Sequence, residues 1–411
     1  MKKLYLLLDE WDSNRNFVGD ELRLIREKYD VTIVCNSAYS DLEDGVRYLI
    51  YTRPSVLHAL VSLLKGLADR ELWHELGVAF RYRSDVCSKV AGRISEAVRF
   101  YINADLFRGY MKEQGCMENG AIYYSYWNFW KCYAVTHIID RYPGSRVISR
   151  IHGYELYDEQ IPSGYQPFKN AMDAKLDKLI FVSETGKEHY LDKFGKTDSD
   201  KYALYLLGTR NSLDREACLH GSYREGGKDF LLVSCSRIDS NKRVERIAKA
   251  LSLINDLQLE WVHFGTGDLE DAVRSEASAL LDNKVNIRYE FRGLVNNGII
   301  HEFYRERTPD AFITASASEG NPVSVMEALS YGIPVIAPAI CNFPNMIADC
   351  GILVSEECST EELADAVVKI AGMPGDDIRK IRYNARKRWE NDFDADKNNR
   401  RFVEEVLDRE C

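Results

Sequence analysis

No apolar run in this 411-residue chain approaches the roughly 18 residues that a membrane-spanning helix needs. The first one, Leu4 to Leu8, is stopped by Asp9 and Glu10, so it is too short for a signal-peptide core and reads as a buried strand. The ten cysteines form no Cys-x-x-Cys pair and no Cys/His cluster at zinc spacing. They read as reduced, mostly buried thiols in a cytosolic protein. Basic excess is also missing: the net charge is -10, which argues against general nucleic-acid binding. There are no repeats and no low-complexity tracts. What is left, with 45% apolar and 29% charged residues, is an ordinary soluble protein long enough for two or three domains.

Short apolar, β-rich runs alternate with helical stretches along the whole chain. They fall at residues 4–8, 31–35, 46–51, 121–124, 146–151, 178–182 and 203–207, then at 230–235, 259–264, 286–291, 311–314, 334–337 and 351–354. Continuous apolar strands between helices imply parallel sheets covered on both faces. Thirteen are too many for one ordinary sheet, so the pattern predicts two doubly wound, Rossmann-like α/β domains. The polar, Gly-rich stretch 219–228 reads as the linker between domains at 1–220 and 221–390, and 391–411 reads as a helical tail. Ligands of such sheets bind at the carboxyl ends of strands, so two domains facing each other would place a site in the cleft.

Residues 55–115 break the alternation and predict a helical insertion in the first domain. From Arg81 to Lys112 there are seven Lys/Arg against three Asp/Glu, in a chain that is acidic overall. Val86, Val90, Ile94, Val98 and Ile102 recur every four residues, close to a helical stripe. Two readings fit: a helix packed on its own domain, or a basic amphipathic helix lying on an anionic membrane surface, with Arg81, Arg83, Lys89, Arg93 and Arg99 as its cations.

Residues 314–338 carry the most chemistry. A strand ends in a small-residue loop holding Glu319 and Gly320. Asn321 and Pro322 then open a helix, Asn as its cap and Pro in the first turn, and the helix closes near Gly332 before the next strand. The helix N-terminus, with the backbone amides of Gly320, Asn321, Val323 and Ser324 around Pro322, suits a phosphate. Glu319 beside it and Glu327 further along add two carboxylates. Phosphate donors plus carboxylates suit a ligand with both phosphates and hydroxyls, which describes a nucleotide sugar.

In the same half, Ser234-Cys235-Ser236-Arg237-Ile238-Asp239-Ser240-Asn241-Lys242-Arg243 leaves a strand and enters a helix, and Phe264-Gly265-Thr266-Gly267 and Phe291-Arg292-Gly293 end the next two strands. With the Glu-x7-Glu pair Glu319 and Glu327, this ordered set over residues 228–390 resembles the family-4 retaining glycosyltransferases of the GT-B architecture, of the bacterial surface-polysaccharide type. The first half resembles the family at Ser149 to Tyr157 and at Phe181 to Glu184. It departs from it after the first strand, where Asp9 to Asn16 stand in place of a Gly-Gly loop.

The resemblance implies an acceptor-side first domain and a donor-binding second domain. Arg237 and Lys242 would meet the diphosphate, Glu319 the donor sugar, and Glu327 both ribose hydroxyls, with Gly265 and residues 320–324 also on the donor side. His152, at a strand end, is implied near donor sugar and acceptor; a satisfied structural histidine is the other reading. Asp12, Asn14, Tyr126 and Trp127 lie at other strand ends and could line an acceptor pocket, although the aromatic stretch 123–130 equally fits core. No metal or cofactor is expected. Asp198-Ser199-Asp200 and Asp394-Ala395-Asp396 match an Asp-x-Asp metal string but lie in polar loop or tail segments. The expectation is a cytoplasmic enzyme, peripheral on the membrane if the acceptor is lipid-linked. It would move a sugar from a UDP- or GDP-linked donor to a glycan or lipid-linked saccharide. A nucleotide-sugar epimerase or hydrolase, or a non-catalytic binding subunit of the same fold, are the alternatives.

Overall fold

The computed structural model describes residues 1–38, 42–83, 89–219 and 229–408. By internal contacts the chain forms two compact units, one of residues 1–206 with 399–411 and one of residues 207–398. The division thus falls before the Gly-rich stretch expected to be the linker, whose residues 220–228 lie outside the described ones. Of residues 391–411, expected as a separate tail, 399–411 are counted with the first unit and the rest with the second.

The first unit holds seven parallel strands: β1 (Lys2–Leu7), β2 (Tyr29–Cys35), β3 (Arg47–Ile50), β4 (Ile122–Ser125), β5 (Arg146–Ile151), β6 (Lys178–Phe181) and β7 (Tyr202–Leu204). Their order is β3-β2-β1-β4-β5-β6-β7. Leu4 pairs with Val31 on one side and with Ile122 on the other. Every residue of β4 and β5 is buried, which is why these strands read as continuous runs and not as alternations. The order reverses beside β1: the chain steps outward through β2 and β3, then returns to place β4 on the other edge of β1. Such a reversal leaves a crevice at the carboxyl ends of β1 and β4.

Between β3 and β4 run three helices, α2 (Val56–Gly66), α3 (Arg70–Arg81) and α4 (Val90–Glu113); α1 (Trp11–Arg26) follows β1. The insertion is therefore helical, but its basic stripe is not as expected. Helix α4 buries Ala97, Phe100, Tyr101, Ala104, Phe107 and Met111. Phe100 stacks on Phe168, and Phe107 meets Trp130 edge to face. A four-residue spacing drifts around a 3.6-residue helix, so Ile94, Val98 and Ile102 end on the half-buried flank and Val90 is exposed. Val86 lies outside the described residues. Arg93 is buried, and its Nε donates to the Ala79 carbonyl at 2.9 Å. It is a structural cation and not a member of a surface stripe. Helix α2 packs so closely that a Cβ on Gly66 would sit 2.8 Å from the Leu72 side chain.

The C-terminal segment completes the first unit's core. Phe402 packs against Tyr124 and Tyr205. Arg146 donates to the carbonyls of Val406 and Leu407. Buried Arg150 pairs with buried Glu21 at 2.9 Å and lies over the rings of Tyr126 and Phe402. A buried guanidinium is tolerable here because a carboxylate and several π-faces replace its water.

The second unit holds six parallel strands: β8 (Phe230–Cys235), β9 (Leu259–Phe264), β10 (Ile287–Phe291), β11 (Ala311–Ile313), β12 (Val335–Pro338) and β13 (Gly351–Val354). Their order is β10-β9-β8-β11-β12-β13, so the reversal falls between β8 and β11. The loops leaving those two strands, residues 236–243 and 314–322, carry the motifs singled out in the sequence.

Candidate active site

In the second unit the two loops at the reversal are stitched together. The Ala317 amide donates to the Asn241 carbonyl at 2.7 Å, and the Asn241 side chain donates to Ser318 at 3.0 Å. Asp239 accepts from the amides of Asn241 and Lys242, both at 3.0 Å, and so turns the chain toward its helix. Arg243, in the left-handed region at φ +49°, donates to the carbonyls of Ala315 and Ser316 at 2.6 and 2.9 Å. Arg243 thereby clamps the loop after β11.

Within this frame Lys242 Nζ reaches Glu319 Oε1 at 2.5 Å, and Ser316 Oγ donates to the same oxygen at 2.7 Å. The expected phosphate cation and the expected sugar carboxylate are thus brought together. Arg237 stays extended, 69% exposed, with Asp239 and Asp268 no nearer than 3.7 and 3.9 Å. Its charge is available to a ligand.

The helix that follows runs Val323–Ser330 with Pro322 in the capping position. It starts one residue later than the sequence pattern suggests, so Asn321 precedes the cap. The first-turn amides, Val323 and Ser324 among them, have no acceptor within a helix by construction. Glu327 sits further along, 4% exposed. Its Oε1 accepts from Asn297 Nδ2 at 2.8 Å, and His301 Nε2 lies 3.9 Å away. Burial pushes this carboxyl up to about 7, against the lowering pull of the Asn297 hydrogen bond. Asn297 and His301 were missed; their spacing of four on one helix was the available signal.

Gly265 shapes the floor. At φ +132° a Cβ there would lie 1.9 Å from the Ser236 carbonyl oxygen, so only glycine lets the loops after β8 and β9 meet. Its amide donates to Gly293 at 2.8 Å and is not offered to a ligand.

The first unit has its own polar group at the carboxyl ends of β4 and β5. His152 follows β5, its side chain 13% exposed and its ring 4.3 Å from that of Trp127. Neither ring nitrogen has a partner within hydrogen-bond distance, although Nδ1 lies 3.7 Å from Glu155 Oε1. Buried Glu155 holds the turn, accepting from the amides of Asn128 at 3.0 Å and His152 at 3.3 Å. Fully enclosed Lys169 donates to Asn128 Oδ1 at 2.9 Å, and burial pushes it down to about 8. Buried Lys131 meets Asp9 at 3.1 Å. Asn128, Lys131, Glu155 and Lys169 escaped the sequence reading because such side chains ordinarily face water. Tyr126 is 2% exposed and packs over Arg150, so it is wall and not lining. Asp12 and Asn14 fall at the start of α1, and their side chains lie outside the described residues.

Both Asp-x-Asp strings are engaged elsewhere. Asp198 pairs with Lys187 at 2.9 Å, Asp396 with Arg210 at 2.8 Å, and Asp394 caps the Asp396 amide at 3.0 Å. Among the described residues one cluster, Asp69, Glu71 and His137, brings potential ligand atoms within 4.8 Å of one another. Tyr101 donates to Asp69 and Tyr133 to Glu71, both at 2.8 Å. This fits a network tying α3 to the core.

Residues 219–388 match the family model described as glycosyl transferases group 1. The second unit therefore carries a group 1 glycosyltransferase domain, and the two parallel-sheet units are those of the GT-B architecture. The chain is 24% identical over 178 residues to the UDP-N-acetylglucosamine–peptide N-acetylglucosaminyltransferase GtfA subunit of Streptococcus agalactiae, covering 42% of this chain and 32% of that protein. It is 21% identical over 271 residues to the putative colanic acid biosynthesis glycosyltransferase WcaL of Salmonella typhimurium, covering 63% of each. In both cases it spans less than two thirds of the relative. Among solved structures, α,α-trehalose-phosphate synthase (UDP-forming) from Burkholderia vietnamiensis superposes with TM-score 0.68 at 14% identity, over 100% of this chain and 99% of that one, a likeness of fold. Among the described residues no helix is long and apolar enough to cross a membrane.

Proposed function

We propose that this protein transfers a sugar from a UDP- or GDP-linked donor to a glycan or lipid-linked saccharide, with the anomeric configuration retained and no metal ion required. The observation that carries the reading is the set at the second unit's reversal point: Lys242 on Glu319, exposed Arg237, a helix N-terminus, and buried Glu327. As the bond between the anomeric carbon and the diphosphate oxygen breaks, negative charge grows on that oxygen. Arg237, Lys242 and the first-turn amides stabilise it more in the transition state than before it. Glu319 holds donor-sugar hydroxyls beside the electron-poor anomeric carbon, and Glu327 accepts from the ribose hydroxyls. The acceptor hydroxyl attacks on the face the diphosphate leaves and gives its proton to the departing phosphate oxygen, so no protein base is needed. His152 hydrogen-bonds a sugar hydroxyl through a ring nitrogen. The eight described cysteines, all free thiols, suit a reducing cytoplasm. The names of the relatives favour surface-polysaccharide assembly and a uridine nucleotide.

The test is a panel of UDP- and GDP-sugars assayed for nucleotide release, first alone and then with saccharide and lipid extracts. Acceptor-dependent release that is lost in Lys242→Ala supports transfer. Release of free or altered sugar without any acceptor would make the protein a hydrolase or epimerase.

A further inference from the structure

Helix α2 is built inside out. It buries Ser62 and Gly66, with Ser62 Oγ donating to Asp105 on α4 at 2.7 Å. Its large apolar side chains point the other way. Val56, Leu57, Leu60, Val61 and Leu64, with Leu67 just past its end, are between 45% and 78% exposed. Their spacing places them on one helical face. The next helix extends it: Trp73 is 55% exposed, its Nε1 held by the Leu67 carbonyl at 2.9 Å, and Phe80 follows at 65%. Soluble proteins leave single apolar side chains outside, but a contiguous row of eight marks a surface meant for something else.

Along the stretch the exposed charges have one sign, with Lys65 also 3.6 Å from the buried Asp105 carboxylate. Between residues 52 and 83 every exposed Lys, Arg, Asp or Glu is a cation: Arg53, Lys65, Arg70, Arg81 and Arg83. The carboxylates of the stretch are engaged with groups of the protein. Asp69 caps Glu71 and accepts from Tyr101, Glu71 accepts from Tyr133, and Glu75 is buried against Tyr165.

We propose that the α2 face, with Trp73 and Phe80 of α3, docks this protein on a bilayer surface containing anionic lipid. Eleven residues of helix span about 16 Å, roughly half the hydrocarbon core, so α2 lies in the interface and does not cross it. An apolar face with a tryptophan at its edge and a cationic surround matches acyl chains beneath anionic headgroups. A second copy fits less well, because a two-fold interface would bring together two copies of a rim whose exposed charges are all cations. The surface differs from the basic stripe suggested by sequence: its affinity lies in α2 leucines, with the cations as its rim. It also stands apart from the transfer reading, since vesicle binding is measured without donor or acceptor.

The experiment is sedimentation of the full chain with phosphatidylcholine vesicles, with and without phosphatidylglycerol, at about 0.05 M and about 0.5 M salt. Binding is expected to the anionic vesicles and to weaken at high salt. Leu57→Glu/Leu60→Glu/Leu64→Glu should lower the bound-to-free ratio about ten-fold or more, since both apolar transfer and charge attraction are lost. The milder Leu60→Ser/Leu64→Ser variant should fall between, and both should keep the parent's melting temperature and nucleotide affinity. In the parent, Trp73 fluorescence should be quenched by brominated lipid, and Trp73→Phe should lose that signal. A parent that ignores anionic vesicles at low salt, or glutamate variants that bind as well as it does, would overturn the proposal. A concentration-dependent dimer abolished by the same leucine substitutions, without vesicle binding, would assign the face to a second copy instead.

Discussion

The ammonium of Lys242 and the carboxylate of Glu319 share a 2.5 Å hydrogen bond, with Ser316 donating to the same carboxylate oxygen. Each has been assigned to a different part of the donor, yet in the free protein each satisfies the other. On the proposed reading, a diphosphate would compete with Glu319 for the lysine, and the sugar hydroxyls would replace the lysine at Glu319.

That competition gives opposite expectations for binding and rate. Glu319→Gln should bind the bare nucleoside diphosphate several-fold more tightly, because Lys242 is released, while transfer falls by about 10²-fold or more. Lys242→Ala or Arg237→Ala should weaken both. Calorimetry with nucleoside diphosphate beside steady-state transfer would check this; equal losses in both quantities for Glu319→Gln would contradict the pairing.

Glu327 predicts a pH dependence. Its carboxyl lies near 7 in the free protein, above its ordinary 4.5. To accept two ribose hydroxyls it must be ionised, so nucleotide affinity should rise as pH goes from about 6 to 8, with release of a proton. Glu327→Gln should flatten that profile, and Glu327→Ala should cost about 1.5–3 kcal/mol of nucleotide binding. The sign for folding is the reverse. A raised carboxyl favours the folded state most below the ordinary value, and that contribution fades as pH rises through 7. Thermal melts of parent and Glu327→Gln across this window would show the difference narrowing at low pH.

His152→Ala should lower transfer by up to about 10-fold, the worth of one neutral hydrogen bond. Nucleotide affinity should not change. A shift in nucleotide affinity equal to the loss in rate would overturn the role proposed for His152.

Transfer should persist in excess EDTA, and proton NMR of the product should show the donor's anomeric configuration. Loss under chelation that manganese restores would direct attention to Asp69, Glu71 and His137. Glu71→Gln should then abolish the metal response.

The central strands were legible because parallel strands inside a sheet are apolar on both faces; the thirteen among the described residues run for three to seven positions. Lys242, Glu319 and Glu327 were picked out by their place in the family-like motifs; the structure sets Lys242 against Glu319 and buries Glu327 within the helix 323–330. The face of α4 was not. Its buried side includes Ala97 and Ala104, which carry little hydrophobic signal, and Arg93, whose burial depends on the Ala79 carbonyl from another helix. Helix α2 misleads in the opposite sense: leucines at helical spacing ordinarily mean core, and only the packed structure shows Ser62 and Gly66 inside. The offers of Asn128, Glu155 and Lys169 to one another are likewise long-range, between residues up to 41 positions apart. The start of the 323–330 helix was misplaced by one residue because Asn-Pro satisfies two adjacent cap registers.

Residues 399–411 share a compact unit with residues 1–206, while 207–398 make up the other. The polypeptide therefore crosses from one unit to the other twice, and the second is one continuous stretch of sequence between two parts of the first. No single cleavage yields two intact halves. A fragment ending at residue 206 would leave the rings of Tyr124 and Tyr205 without Phe402 and the Arg146 guanidinium without its carbonyl acceptors. Restoring the last thirteen residues in trans, as a synthetic peptide, should recover part of that fragment's lost stability. The second unit, excised at both crossings, is the piece suited to independent expression.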